Sequence, residues 1–316
     1  MTEIKIFFAS DIHGSEICFR KFLNAGKAYQ ADAILMGGDI TGKMIVPMVE
    51  TGGGTFAFQW LGTPYAVSRE ELDGHLQQIR MSGCYPYQTT PDEMALLEEK
   101  PELIKDIFRK TLMESVRQWL YLAEERLKGS GIECYITPGN DDDLALDEVF
   151  INQNVVCNPE HKLVYIKDDL EMIACGYSNR TPWNSPRELN EEDLWKVIDG
   201  MAQGIANTQR AIFNFHCPPF DVGLDLAPRL DKNLKPIAGV GGVDTAPVGS
   251  KAVLKTIQAY RPMLGLHGHV HESRGVVKIG RTFCVNPGSE YSEGILRGCL
   301  ILIDQKGVKD YMLTAG

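Results

Sequence analysis

Five short apolar runs in this chain end on clusters of aspartate, asparagine or histidine: IKIFFASDIH over residues 4–13, AILMGGD over 33–39, YITPGND over 135–141, AIFNFH over 211–216 and LGLHGHVH over 264–271. A continuous apolar run of this length, bounded by turn residues, reads as a strand buried on both faces. The polar residues that follow then lie where the chain leaves a sheet. This layout constrains the fold more than any other feature. Buried strands alternating with helical stretches imply an α/β architecture whose rigid sheets fix the loop residues at their ends.

The first strand is expected over residues 4–9. A helix over 15–29 follows, with Cys18, Phe22, Ala25 and Tyr29 on one face. Residues 44–131 break the rhythm. MIVPMVE and TFAFQWL flank a TGGG turn and read as a hairpin. Thr90, Pro91 and Glu93 form a capping-box pattern. A long amphipathic helix over 101–128 carries the stripe Ile104, Phe108, Leu112, Val116, Trp119, Leu120, Ala123 and Leu127. This segment brings no obvious chemistry and reads as a structural insertion or homo-oligomer contact, rather than a lid, within a single domain spanning 1–316. The second half is rich in strands, with KLVYIK and LEMIACGY forming a hairpin. The sequence DLALDEVF after Asp141 and Asp142 reads as a helix whose start is marked by Asp142 and Asp143.

The chain of 316 residues has a formal net charge of −10. That balance weighs against a non-specific nucleic-acid or anionic-membrane binder, since both surfaces would repel it. No apolar stretch reaches the roughly 18–20 residues of a membrane span. Eight cysteines lie scattered without a C-x-x-C pair, so buried reduced thiols and a cytoplasmic location are expected.

In extended chain, residues i and i+2 point the same way, so Asp11 with His13, and His269 with His271, can face one metal or two adjacent ones. Mixed carboxylate, imidazole and amide donors suit Mn, Fe, Co, Ni or Zn rather than calcium or magnesium. The candidate ligands are Asp11, His13, Asp39, Asn140, His216, His269 and His271. They exceed the four donors of one tetrahedral site, whereas a two-metal centre absorbs them all. A lone histidine or a single GD would carry nothing; the ordered set does.

SDIHG at 10–14, GGD at 37–39, GND at 139–141, HCPP at 216–219 and GHVH at 268–271 resemble the motifs of the metallophosphoesterase (calcineurin-like phosphoesterase) superfamily, with NPGS at 286–289 as a further similar feature. The match runs through nearly the whole chain in order. The resemblance implies a two-sheet β-sandwich flanked by helices, in the α/β (α+β) class, with a binuclear metal site at one sheet edge. It also implies that Asp11, His13 and His271 hold one metal, Asn140, His216 and His269 hold another, and Asp39 bridges them. Manganese is the favoured ion, and a water or hydroxide between the two metals would be the nucleophile, with no covalent phosphoenzyme. His267 is expected to pack at a strand end or support the ligands from behind, and His75 and His161 to lie outside the site.

Many members of that superfamily read GNH where this chain has GND. An ionised Asp141 cannot donate a proton to a leaving group, and pointing inward it would repel a phosphate dianion. A diester, with one negative charge, would suffer less. The sequence therefore leads to a metal-dependent phosphodiesterase acting on a small, possibly nucleotide, substrate, with Asp39, Asn140 and Asp141 in the catalytic group. Tyr177, Asn179 and Arg180 follow a strand close to the expected site, and Asn179 and Arg180 are candidate substrate contacts. The 225–250 loop, with its GVGG stretch, is expected to shape the pocket. A nuclease and a non-catalytic scaffold protein on the same fold are the alternatives.

Overall fold

The computed structural model describes residues 3–239 and 242–316; Val240 and Gly241, in the middle of the GVGG stretch, lie outside the described residues. Two six-stranded sheets dominate. The first has the order Gly307–Ala315, Arg297–Asp304, Ile4–Ala9, Ala33–Met36, Glu133–Ile136, Val156–Cys157. The second has the order Gly275–Ile279, Thr282–Asn286, Leu264–Leu266, Ala211–Phe215, Leu170–Cys175, Leu163–Ile166. The middle strands of each sheet run parallel, so their carboxyl ends share one edge.

Alternation along each strand explains how the sheets stack. Ile6 and Phe8 turn toward the second sheet and meet Met172, Ile212, Leu264 and Val285. Phe7 and Ala9 turn the other way, onto the helices Glu16–Ala28 and Glu102–Leu127. The second sheet repeats the device: Ile173, Phe213 and Phe215 pack against helices Glu191–Ala202 and Lys251–Tyr260. The layers are therefore helix, sheet, sheet, helix. Each fully buried Phe, Ile or Leu contributes roughly 1.5–3 kcal/mol. All eight cysteines are free thiols, and all but the half-buried Cys157 are buried. No described helix is long and apolar enough to cross a membrane.

Met44–Gly52 and Thr55–Trp60 pair as a hairpin, which Thr63–Ser68 and Cys84–Thr89 extend to a four-stranded sheet. Helix Arg69–Met81 covers it, and Val46, Phe56, Phe58, Leu72 and Ile79 give this unit its own core. His75 belongs there, edge-on to Phe58. The helix Glu102–Leu127 behaves differently. Its stripe joins the main core, with Trp119 stacked on Phe19 at 4.4 Å between centroids, so this part of the 44–131 segment covers the first sheet.

The stretch after the GND motif departs from the helix expected there. Leu144–Phe150 is a 3-10 helix, and only Asp143 caps it, accepting from Ala145 N–H at 2.8 Å. Asp142 is fully buried and faces backwards, accepting from the N–H groups of Gly139, Ile40 and Thr41 and from the Thr41 hydroxyl. It ties two strand-end loops together rather than starting a helix. Burial and the nearby Asp39 push its carboxyl up to about 6, against those donors.

Candidate metal centre

Each candidate ligand follows the carboxyl end of a parallel strand: Asp11 and His13 after Ile4–Ala9, Asp39 after Ala33–Met36, Asn140 after Glu133–Ile136, His216 after Ala211–Phe215, and His269 and His271 after Leu264–Leu266. The two sheets thus bring all seven to one edge. Asp11, His13, Asp39 and His269 all have positive φ, at 57°, 39°, 48° and 66°. Left-handed backbone at a residue other than glycine costs about 1–3 kcal/mol and persists only where the surroundings impose it. Two close approaches show the imposition. A Cβ on Gly268 would lie 2.2 Å from Asp11 Oδ2, and one on Gly139 would lie 2.2 Å from Asp39 Oδ1. The motif glycines let neighbouring loops touch.

The donor atoms form overlapping groups. Asp11, His13 and His271 make one, Asp39, His216 and His269 a second, and a third joins His13, Asp39 and Asp141. Asp39 spans them, with Oδ1 3.4 Å from His216 Nε2 and Oδ2 3.7 Å from His13 Nε2. The Asn140 carbonyl oxygen lies 3.1 Å from His216 Nε2 and 2.7 Å from His269 Nδ1. His13 Nε2 and His271 Nε2 are 3.0 Å apart.

The chemistry of His216 tests whether such a site fits a cation. Its Nδ1 lies 3.0 Å from the Gly37 carbonyl, which can only accept, so Nδ1 carries a proton. In the neutral ring Nε2 is then an acceptor, yet it faces the oxygens of Asn140, Asp39 and Asp11. Acceptors facing acceptors in a buried place need a proton or a metal ion between them. Burial opposes charge on His216, but Asp39 and Asp11 overcome it and push the imidazole up to about 10. Burial would raise Asp39 as well, and His216 holds it well below the ordinary carboxylate range. Burial brings His13 and His269 down to about 4, leaving both rings neutral, whereas Asp11 raises His271 against its burial, so His216 and His271 would give up a proton on binding a cation. The residues present fit divalent cations.

Supporting contacts hold these groups in place. Asn286 donates to the carbonyls of Leu224, Gly268 and Val270, and Ser289 donates to the Asp11 carbonyl at 2.6 Å, so the NPGS turn staples the GHVH and SDIHG loops. His267 donates from Nδ1 to the Phe215 carbonyl at 2.8 Å and is in none of the donor groups. Arg187, only 1% exposed, donates to the carbonyls of Asp142 and Asp143 and pairs with Asp147, fixing the turn after Asn140.

Asp141 is not a bare carboxylate. It accepts from Asn140 Nδ2 at 3.0 Å and from the Ser185 hydroxyl, and Lys43 forms an ion pair with its other oxygen. Burial would lower the Lys43 ammonium, but Asp141 holds it above its ordinary value. Lys43, Ser185 and Arg187 escaped the sequence reading. Lys43 closes GGDITGK, four residues beyond Asp39, and is the one of the three with a local signal. Asn179 and Arg180 both line the cavity over the cluster, whereas Tyr177 packs beside His161 at 5.7 Å between centroids. His161 is beside Glu160, away from the ligands.

No protein-family model matches the chain. An uncharacterized protein of Methanocaldococcus jannaschii is 30% identical over 159 residues, 49% of this chain and 64% of that protein. The chain thus spans less than two thirds of the length of that curated relative. Among solved structures, one shares the fold with a TM-score of 0.56 at 15% identity over 99% of both chains. A structure from Thermus thermophilus gives 0.51 at 14% identity, covering 100% of this chain and 99% of the other. These likenesses are of fold: two facing mixed sheets with flanking helices, which here bring the donor set to one edge.

Proposed function

We propose that the chain is a metal-dependent phosphoric ester hydrolase of the metallophosphoesterase superfamily, favouring small phosphodiesters. The observation that carries this reading is the convergence of the donor atoms at one sheet edge, with Asp39 lying between His216 and His13 and the Asn140 oxygen between His216 and His269. Asp11, His13 and His271 would hold one divalent ion, and Asn140, His216 and His269 a second, with Asp39 shared between them. When bound, two such ions lower the pKa of a water and clamp the phosphoryl oxygens, which is the chemistry of ester hydrolysis at neutral pH. Manganese suits the mixed nitrogen and oxygen donors.

The chain's own residues would do the rest. Lys43, half exposed beside the cluster, presents an ammonium to phosphoryl oxygens, and Arg180 offers a guanidinium from the facing loop. Asp141 aims the Asn140 oxygen into the site by accepting from its amide. At this position an ion-paired carboxylate stands where an imidazole would protonate the leaving group. The preference for diesters rests on that difference: the Lys43–Asp141 pair supplies neither an acid nor a net positive charge for the second charge of a dianion.

Elemental analysis should find about two transition-metal ions per chain after loading with manganese. At saturating manganese, bis(p-nitrophenyl) phosphate should turn over faster than p-nitrophenyl phosphate. A faster monoester would overturn the diester preference. Absence of metal, with no activity restored by manganese, would favour a binding protein on this fold.

A further inference from the structure

The cavity over the ligand cluster measures about 1450 Å³. Pockets for drug-sized ligands run to roughly 300–1,000 Å³, so the phosphoryl group alone leaves most of this space unused. Its floor holds Asp39, Asn140, His269 and His271. Its far wall is built from two separate loops and presents Trp183, Leu234, Ile237 and Val248, which are 63%, 47%, 41% and 38% exposed. Single exposed apolar residues are common on surfaces, but four gathered in one cavity offer an apolar face that a ligand can cover.

The polar groups along the wall are mostly committed. Asn179 donates to the Val248 carbonyl at 3.2 Å and accepts from the Cys217 thiol at 2.9 Å. The Thr181 hydroxyl donates to Glu188, and the Ser185 hydroxyl donates to Asp141. The Asn184 oxygen accepts from Arg180 at 3.2 Å. A nucleobase or a sugar would need free donors and acceptors to be recognised here; a hydrocarbon needs none. Four cations line the cavity: Lys43 is paired with Asp141 beside the ligands, Arg229 is paired with Asp244, Lys251 lies over the Phe220 ring, and Arg180 has no carboxylate partner among the described residues.

We infer that the substrate is a phosphodiester one of whose ester groups is an extended hydrocarbon, an alkyl or acyl chain of the lipid type, seated on the Trp183–Ile237 wall while the phosphoryl group lies over the ligand cluster. This deepens, and rests on, the reading of the site as a metal-dependent diesterase. Attack by water forms a P–O bond to the incoming oxygen and breaks the bond to one ester oxygen, which leaves as the alcohol carrying a proton from that water. The wall fixes which diesters reach that geometry.

The test uses the manganese-loaded full chain and p-nitrophenyl alkyl phosphates with methyl, butyl, hexyl and octyl groups, kept below their micelle concentrations. Part-burial of five added methylenes should raise kcat/KM by at least about tenfold from methyl to hexyl, mainly through KM. Replacing Trp183 and Leu234 together by serine should flatten that dependence, and replacing them by phenylalanine and methionine should retain it. A flat series in the wild type, or a preference for thymidine 5′-(p-nitrophenyl) phosphate over the hexyl ester, would overturn the inference. Calorimetric titration with dihexyl and dimethyl phosphate separates the two readings. Tighter binding of dihexyl phosphate without turnover of any ester would keep the apolar subsite and remove the hydrolase. Equal binding would remove the subsite even if the diesters are hydrolysed.

Discussion

The side-chain amide of Asn140 is held by its neighbour: Nδ2 donates to Asp141 Oδ1 at 3.0 Å, and this turns the Asn140 oxygen toward His216 and His269. Asn and Gln amides can flip, and only a hydrogen-bond partner decides which end faces a site. Asp141 is that partner. Asp141→Ala should therefore lower manganese affinity by about 10–100-fold, the usual consequence of losing a group that orients a ligand. Titration of the metal-stripped protein, followed by calorimetry, measures this, and an unchanged affinity would show that Asn140 keeps its orientation unaided.

Lys43 and Asp141 form an ion pair, so their effects on substrate charge are linked. Lys43→Met leaves the Asp141 carboxylate uncompensated beside the incoming phosphoryl group. The dianionic monoester should lose about tenfold more in kcat/KM than the singly charged diester, because repulsion scales with charge. Asp141→His should act in the opposite sense, raising monoester turnover. Steady-state kinetics on both aryl esters distinguish these outcomes from a general loss of activity, in which both substrates would fall together.

Gly268 allows the GHVH loop to lie against Asp11. A Cβ there would come within 2.1 Å of Ser10 Oγ and 2.2 Å of Asp11 Oδ2. Gly268→Ala should displace Asp11 and cut turnover by at least about a hundredfold, since misplacement of about 1 Å suffices for such a loss. The fold rests on the sheets and helices elsewhere, so the circular dichroism spectrum should be retained while bound metal falls. Full metal content with full activity would show that the loop moves aside freely.

Much of this donor cluster was legible because each candidate ligand is announced locally, by an apolar run, a turn and a polar residue. Ile4–Ala9 falls where the apolar run predicted it, and the helix Glu102–Leu127 follows its stripe of leucines and aromatics. Groups whose meaning depends on distant loops were not legible. Asp142 and Asp143 look alike in sequence, yet one binds Ile40 and Thr41 about a hundred positions away while the other caps the 3-10 helix that follows it. Arg187 sits in a polar stretch that reads as surface, and only tertiary contact with the backbone after Asn140 buries it. The seven residues LALDEVF carry no signal that separates a 3-10 helix from an α-helix; the choice falls to packing.

Glu160, outside the candidate ligand set, carries a pH dependence of its own. The Gly176 N–H donates to its Oε2 at 2.8 Å, while Oε1 faces His161 Nε2 at 3.4 Å without a hydrogen bond. Burial pushes its carboxyl from the ordinary 4.5 up to about 8, although Arg187 opposes the shift. The folded chain thus holds a proton that the unfolded chain releases. The stability this adds is fully present below about pH 4.5 and is lost as pH rises through about 8. The shift corresponds to at most roughly 5 kcal/mol across that window. Glu160→Gln keeps the shape and the acceptor for Gly176 but cannot ionise. The variant should match the wild type in urea-unfolding midpoint at pH 5 and exceed it at pH 9. Parallel curves at the two pH values would mean that Glu160 ionises as readily in the fold as in water.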